Sequence, residues 1–233
     1  MTELTPGFDD ETYKILDKVY KNLAEGITGI AASKKEDLYL SAGYLLQRAR
    51  SGEFLKTFMN EWNKFREKGR IQDEYTYTEQ HQECLQEMLD FLDNDSPDQI
   101  RFSVLKNIFL NTATESFSSR DDVLPQQLLR IGRSLNSAEV LIIQTAYKLS
   151  KEGEDASKRS TRDWRYAISR NSPLGYPELV ESNEQTLENK GLIHRRVDPD
   201  NSMFSKPGHF RLTGLGLRLC EFMTEYKPET DNE

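Results

Sequence analysis

Long apolar runs are missing from this chain of 233 residues. The most apolar stretches, Ile27 to Ala32 and Val140 to Ile143, fall far short of the ~18 to 20 residues that a membrane-spanning helix needs, so no membrane segment is expected. Cysteine is scarce too: Cys84 and Cys220 are the only two, far apart and without a pairing pattern. Met1 to Asp10 carries acids and no basic flank, unlike a secretory signal. These absences predict a cytoplasmic location in a reducing setting. Positive charge is in deficit, with 31 Lys and Arg against 39 Asp and Glu and a net charge of −8. That balance disfavours the whole molecule as a non-specific nucleic-acid binder, because affinity for phosphate comes largely from positive charge. It leaves room for a local basic patch.

The motifs of common catalytic sites are lacking as well. There is no Gly-x-x-x-x-Gly-Lys phosphate loop, no Gly-x-Gly-x-x-Gly after a strand and no Gly-x-Ser-x-Gly elbow. His81 and Cys84 lie three apart on an expected helix, but two ligands do not make a zinc site, and His81 reads as an ordinary surface or boundary residue. His194 and His209 read as a cross-strand pair. Asp93-Asn94-Asp95 lacks the downstream Gly and Glu of a calcium loop and reads as a turn. No catalytic, metal or cofactor-binding residue is therefore nominated, and a non-enzymatic protein is expected.

What the chain does have is aromatic and aliphatic residues at helical spacing. Eleven Phe, ten Tyr and two Trp need a core to occupy. Asp9 to Ala24 predicts a first helix through Tyr13, Leu16, Val19, Tyr20 and Leu23. Glu36 to Lys68 predicts two helices broken at Ser51-Gly52, because glycine is costly inside a helix. Thr78 to Leu92 predicts another, through Leu85, Met88 and Phe91. Ser96-Pro97-Asp98-Gln99 offers a cap, a proline at the first helical position and Gln three residues on. The helix after it should bury Ile100, Val104, Leu105, Ile108 and Phe109. Ser118 to Asp122 suggests a loop near a boundary, and Leu124 to Ile131 a short helix.

Further along, Asn136-Ser137-Ala138-Glu139 opens a helix with a cap and a Glu three residues on. A basic stretch, Lys158 to Arg170, precedes the turn Ser172-Pro173-Leu174-Gly175. Pro177 to Lys190 predicts a helix with Leu179, Val180 and Leu187 inward, ended by Gly191. Leu192 to Arg196 and His209 to Leu212 predict two strands around a loop, and Thr213 caps a last helix. Two stretches in this region, Leu187-Glu188-Asn189-Lys190-Gly191-Leu192-Ile193 and Leu212-Thr213-x-x-Gly216-x-x-Leu219, resemble the winged-helix family over roughly Asn136 to Tyr226. The resemblance implies a mostly α fold: a helical domain over 1–130, a winged-helix domain over 131–226 with a small β-hairpin wing, and a tail over 227–233. More loosely, through its layout and the stretch Ile131 to Leu149, the whole chain resembles the Abi-alpha-like family of bacterial proteins, some linked by name to abortive phage infection. That likeness carries over no catalytic residue.

In a DNA-reading module of this type the third helix enters the major groove. Here that helix carries Glu178, Glu181, Glu184 and Glu188, which phosphates would repel. Beside it Lys158, Arg159, Arg162, Arg165 and Arg170 interleave with Trp164 and Tyr166, and Arg195, Arg196, Lys206 and Arg211 extend the basic set. Such a set can grip phosphates or remain a solvated surface. An acidic helix beside a basic patch also suits contact with a protein, or self-association by charge complementarity. The expectation is a non-enzymatic adaptor or regulator, in phage defence if the looser resemblance holds, with a protein partner and a homodimer in view. A DNA-binding transcriptional regulator is the alternative.

Overall fold

The computed structural model describes residues 38–71, 78–95, 98–114, 123–152, 161–195 and 211–224. The expected first helix, the 118–122 loop, the wing loop and the tail lie outside the described residues. Among the described residues, the chain is all-helical, with eight helices and no strand. Two compact units divide it, Met1–Arg130 and Ile131–Glu233.

The first unit holds α1 (Leu38–Glu67), α2 (Glu79–Asn94), α3 (Gln99–Thr114) and most of α4 (Leu124–Ser134). The expected break at Ser51-Gly52 does not occur, and α1 runs through both residues. Glycine costs a helix about 1 kcal/mol. Burial of Phe54, Leu55, Phe58 and Trp62 along the same helix outweighs it, at ~1.5 to 3 kcal/mol for each large apolar side chain. Phe58 meets Phe109 edge-on at 5.0 Å, and Phe54 stacks on Phe102 at 4.3 Å. Thr78 caps α2 by accepting from the His81 amide, and Asp98 caps α3 by accepting from Ile100 and Arg101 at 2.8 and 3.0 Å. The α3 cap is thus Asp98, two residues beyond the expected Ser96. Ile100, expected inside, lies exposed on the first turn.

His81 is not the boundary residue its sequence context suggests. It is buried in the core, stacked 5.1 Å from Trp62 and 5.7 Å from Phe109. Cys84, one turn on, is buried as well, and that burial, with Glu83 and Glu87 nearby, pushes its thiol up to about 12. The residues form an apolar layer in which the imidazole packs as an aromatic plate.

The second unit contains α5 (Ser137–Lys151), α6 (Thr161–Asn171), α7 (Pro177–Asn189) and α8 (Gly214–Met223). Asn136 and Glu139 form the expected capping box: the Asn136 side chain accepts from the Glu139 amide, and the Glu139 carboxylate accepts from the Asn136 amide. Lys190 reaches the same carboxylate at 2.9 Å and the Ser134 carbonyl at 2.7 Å, tying the end of α7 to the start of α5. Trp164, Ile168, Val180, Leu187, Leu192, Ile193, Leu212, Leu219 and Phe222 fill the core between these helices.

Gly191 ends α7 as expected. With φ of +70°, it lets its own amide donate to Glu188 and the Leu192 amide donate to Leu187, the paired bonds that close a helix with a left-handed residue. The expected β-hairpin wing is not seen. Among the described residues, pairing between 192–195 and 211–212 amounts to a single antiparallel bridge, Ile193 to Leu212. The physical reason sits at Arg211, whose φ of 72° takes it out of the extended region. A regular extended strand does not continue through a left-handed residue, and two residues later Thr213 begins the cap of α8. The winged-helix domain with a β-hairpin is therefore corrected to a unit that shows, among the described residues, helices α5 to α8 and one bridge between the segments that follow α7 and precede α8.

Gly216 explains part of the motif around Thr213. A Cβ on it would sit 2.1 Å from the Leu192 carbonyl oxygen, so only glycine lets α8 approach the backbone that leaves α7. Thr213 locks the same corner by donating to the Gly191 carbonyl at 2.7 Å and accepting from the Gly216 amide at 2.9 Å.

Candidate functional site

The basic and acidic sets read from the sequence meet each other. Arg165, midway along α6, makes an ion pair with Glu181 at 2.6 Å and with Glu184 at 2.8 Å. Arg211 makes ion pairs with the other oxygen of Glu184 and, at 2.8 Å, with Glu188. Glu184 thus bridges two guanidinium groups. Helical spacing explains why: 181, 184 and 188 follow one another at three- and four-residue steps, on the side of α7 that turns toward Arg165 and Arg211.

Arg211 is the centre of this cluster. Its side chain is 1% exposed, and its guanidinium lies over the Trp164 ring at 4.5 Å. Two of its nitrogens donate to the His194 carbonyl, at 3.1 and 2.9 Å. The planar fork satisfies two carboxylates, a carbonyl and an indole face together, which a lysine could not do. For Arg165, burial works to lower the proton affinity, but the hydrogen bond and charge of Glu184, then those of Glu181, hold it above the ordinary arginine value. The cluster is an internal brace of the unit.

Several expectations change as a result. Arg165 and Arg211 face their own carboxylates, so they are withdrawn from any phosphate-gripping patch, and Arg211 is buried outright. Glu184 is buried and Glu188 half-buried, so they do not present an acidic surface; Glu181 stays exposed but is neutralised by Arg165. Arg165, Arg211, Glu184 and Glu188 are thus held within the chain and do not take part in self-association by charge complementarity. Lys158, Arg159, Arg196 and Lys206 lie outside the described residues, as does the side chain of Arg162. Arg170, Arg195 and Glu178 are exposed and make no ion pair among the described residues.

With Glu184 and Glu188 turned inward, the outer face of α7 has an unexpected character. Ser182, Gln185, Thr186 and Asn189 are exposed at three- and four-residue spacing and carry no charge. At the start of α7 sit Tyr176, 68% exposed, and Leu179, 44% exposed; Tyr166, midway along α6, is 38% exposed. Leu179 was expected in the core; the helix phase that buries Val180, Glu184 and Leu187 turns it outward. These are the three large hydrophobic residues exposed in the second unit among the described residues. Sequence periodicity missed the surface because it assigned Leu179 by type, whereas Arg165 and Arg211 claim the opposite face for carboxylates.

Among the described residues no group of three or more His, Cys, Asp or Glu could hold a metal ion, and no helix is long and apolar enough to cross a membrane. No family model matches the chain, and no curated protein or solved structure does.

Proposed function

We propose that the protein is a non-enzymatic adaptor or regulator whose second unit contacts a protein through the outer face of α7 and the α6–α7 corner. The observation that carries this reading is the exposure of Tyr176 and Leu179, three residues apart at the start of α7, while three of the four α7 carboxylates are matched internally. Aromatic and aliphatic side chains ringed by uncharged polar ones have the composition of an interface core with its rim. The Abi-alpha-like resemblance is the support for a setting in bacterial phage defence.

A photo-reactive residue substituted for Leu179 tests the contact. Expressed in cells, it should give one or a few discrete adducts, and the same residue at the exposed Glu152 should give none. Equal patterns at the two positions would sink the reading. Phage plating on cells that express the chain tests the setting: a lowered plaque count that Leu179→Asp restores is expected.

DNA binding is the second reading, and Arg170 and Arg195 favour it. They lie before and after α7, bracketing an uncharged polar row that can hydrogen-bond to base edges. Salt-dependent binding to duplex DNA, abolished by Arg195→Glu, would support it. No binding at low salt would remove it.

A further inference from the structure

Arg211 joins two features that pull in opposite directions. Its backbone is left-handed, with φ of 72°, a conformation that long side chains seldom adopt and that gathers at ligand clamps and switch segments. Its side chain is nevertheless 1% exposed. The tip of that side chain holds it there, through Glu184, Glu188, the His194 carbonyl and the Trp164 ring. The Arg211 carbonyl accepts one backbone bond, from the His194 amide at 2.7 Å. A residue strained at its backbone and anchored at its tip has two places to be: inserted, or extended with the guanidinium in water.

We propose that Arg211 is a releasable latch, and that the cage it fills receives an arginine side chain of a partner protein when the latch is out. This goes beyond the contact at the start of α7 and does not rest on it. The cage has the chemistry of a guanidinium site. One indole face takes the plane of the group, two carboxylates and a carbonyl take its N–H edges, and a lysine ammonium matches neither arrangement. Its walls also stand without Arg211. Trp164 belongs to α6, Glu184 and Glu188 to α7, and Glu184 keeps Arg165 at 2.8 Å.

Two opposed effects set the fraction released. Losing a buried ion pair shifts an equilibrium by about 200-fold or more, and the Arg165 pair left on Glu184 holds it to the lower end. Relaxing one left-handed residue returns about 5- to 30-fold. The inserted form should therefore outnumber the released form by about 10 to 40 to one. Whole-domain unfolding is rarer by far, at about one molecule in 5,000 or fewer.

Amide hydrogen exchange separates the two events in the full chain. The His194 amide loses its acceptor when Arg211 leaves, so it should be protected only about 10- to 40-fold. The Thr213 amide, bonded to the Leu192 carbonyl, and the Leu192 amide, bonded to the Leu187 carbonyl, do not depend on Arg211. Both should exchange only with whole-domain unfolding. Glu188→Gln, which weakens one pair of the latch, should speed His194 about tenfold and leave the other two amides unchanged. A His194 amide that exchanges no faster than Thr213 overturns the latch, and so does a Glu188→Gln variant in which all three amides speed up together.

Arg211→Gly tests the cage, since glycine suits the left-handed backbone and leaves the guanidinium position open. In a Trp62→Phe background, N-acetyl-arginine amide should change Trp164 fluorescence saturably, with a dissociation constant on the order of 1 mM for a ligand of that size. N-acetyl-lysine amide at the same ionic strength should not. The chain with Arg211 in place should bind the same probe about 10 to 40 times more weakly, because only its released fraction is competent. That ratio should match the His194 protection, an equality that a merely structural arginine would not produce. No saturable response in Arg211→Gly, an equal response to the lysine probe, or equal affinity with and without Arg211 each overturns the cage. Should Arg211→Gly fail to fold, the exchange of His194 in Glu188→Gln still decides whether Arg211 is released.

Discussion

Replacing Arg211 tests the brace at its centre. Arg211→Ala removes both of its ion pairs, the two bonds to the His194 carbonyl and the contact with Trp164. Breaking one partner out of a buried pair costs about 3–5 kcal/mol, because the remaining charge stays buried without its counterpart. Glu184 keeps Arg165 at 2.8 Å, which pulls the expected loss to the lower end, about 3 kcal/mol. Arg211→Gly deletes the same contacts but should cost less. At a φ of 72° any side chain carries a left-handed penalty of roughly 1–2 kcal/mol, which glycine escapes. The ordinary ranking, in which glycine is worse than alanine, should therefore invert at this position by about 1 kcal/mol.

Urea unfolding followed by Trp164 fluorescence, in a Trp62→Phe background so that only the second unit is reported, measures both. The indole lies under the guanidinium, so the native emission should also change when Arg211 is removed. A loss below about 1 kcal/mol for Arg211→Ala would mean that the ion pairs contribute no more than exposed ones do. An alanine variant more stable than the glycine variant would refute the claim that the backbone is held in the left-handed region.

Two glycine-to-alanine changes should have opposite signs in thermal unfolding. Gly52→Ala, with nothing within 4 Å of the new Cβ, should stabilise the first unit by about 0.5–1 kcal/mol through helix propensity. Gly216→Ala, with the Leu192 carbonyl at 2.1 Å, should destabilise the second by about 1–3 kcal/mol, since backbone has to move. Asn136→Ala should cost about 1 kcal/mol by removing the α5 cap, measured in the same assay. The thiols give a pH prediction. Cys84 is raised from 9.0 to about 12, so the folded protein holds a proton that the unfolded chain releases. Its contribution to stability is complete below pH 9.0 and is lost as pH rises toward about 12. A mid-range disulfide reagent should label Cys84 and the buried Cys220 far more slowly in the native protein than in urea; equal rates would contradict the burial.

Local signals of the fold were legible in the sequence because each acts over a few residues. The capping box of Asn136 and Glu139, the Gly191 stop and the Thr213 cap need only neighbouring backbone groups, and all three form as read. The failures involve distance. Nothing near Gly52 announces that α1 will be held straight by burial further along it. The burial of Arg211, which sequence reading placed on a surface, depends on carboxylates 23 and 27 residues away in sequence. His81 reads as a polar helix residue until Trp62 is laid against it.

The candidate surface was misjudged for the same reason, and the correction alters what α7 can recognise. Counting charge along Pro177 to Lys190 gives an acidic helix that repels phosphate and attracts a basic partner. Charge counted this way has no direction. Once Glu184 and Glu188 face Arg211, and Glu181 faces Arg165, the outward side retains Glu178 as its one unmatched acid among the described residues. The same two arginines vanish from the basic ledger. What is left at the start of α7 is Tyr176, Leu179 and a row of uncharged polar side chains beside Glu178, a surface whose specificity would come from shape and hydrogen bonding. Deleting the internal brace would therefore do more than loosen the unit. Freed of Arg211, Glu188 could turn toward solvent and restore the acidic face, so Arg211→Ala should also make any contact at the corner more sensitive to salt than it is in the native chain.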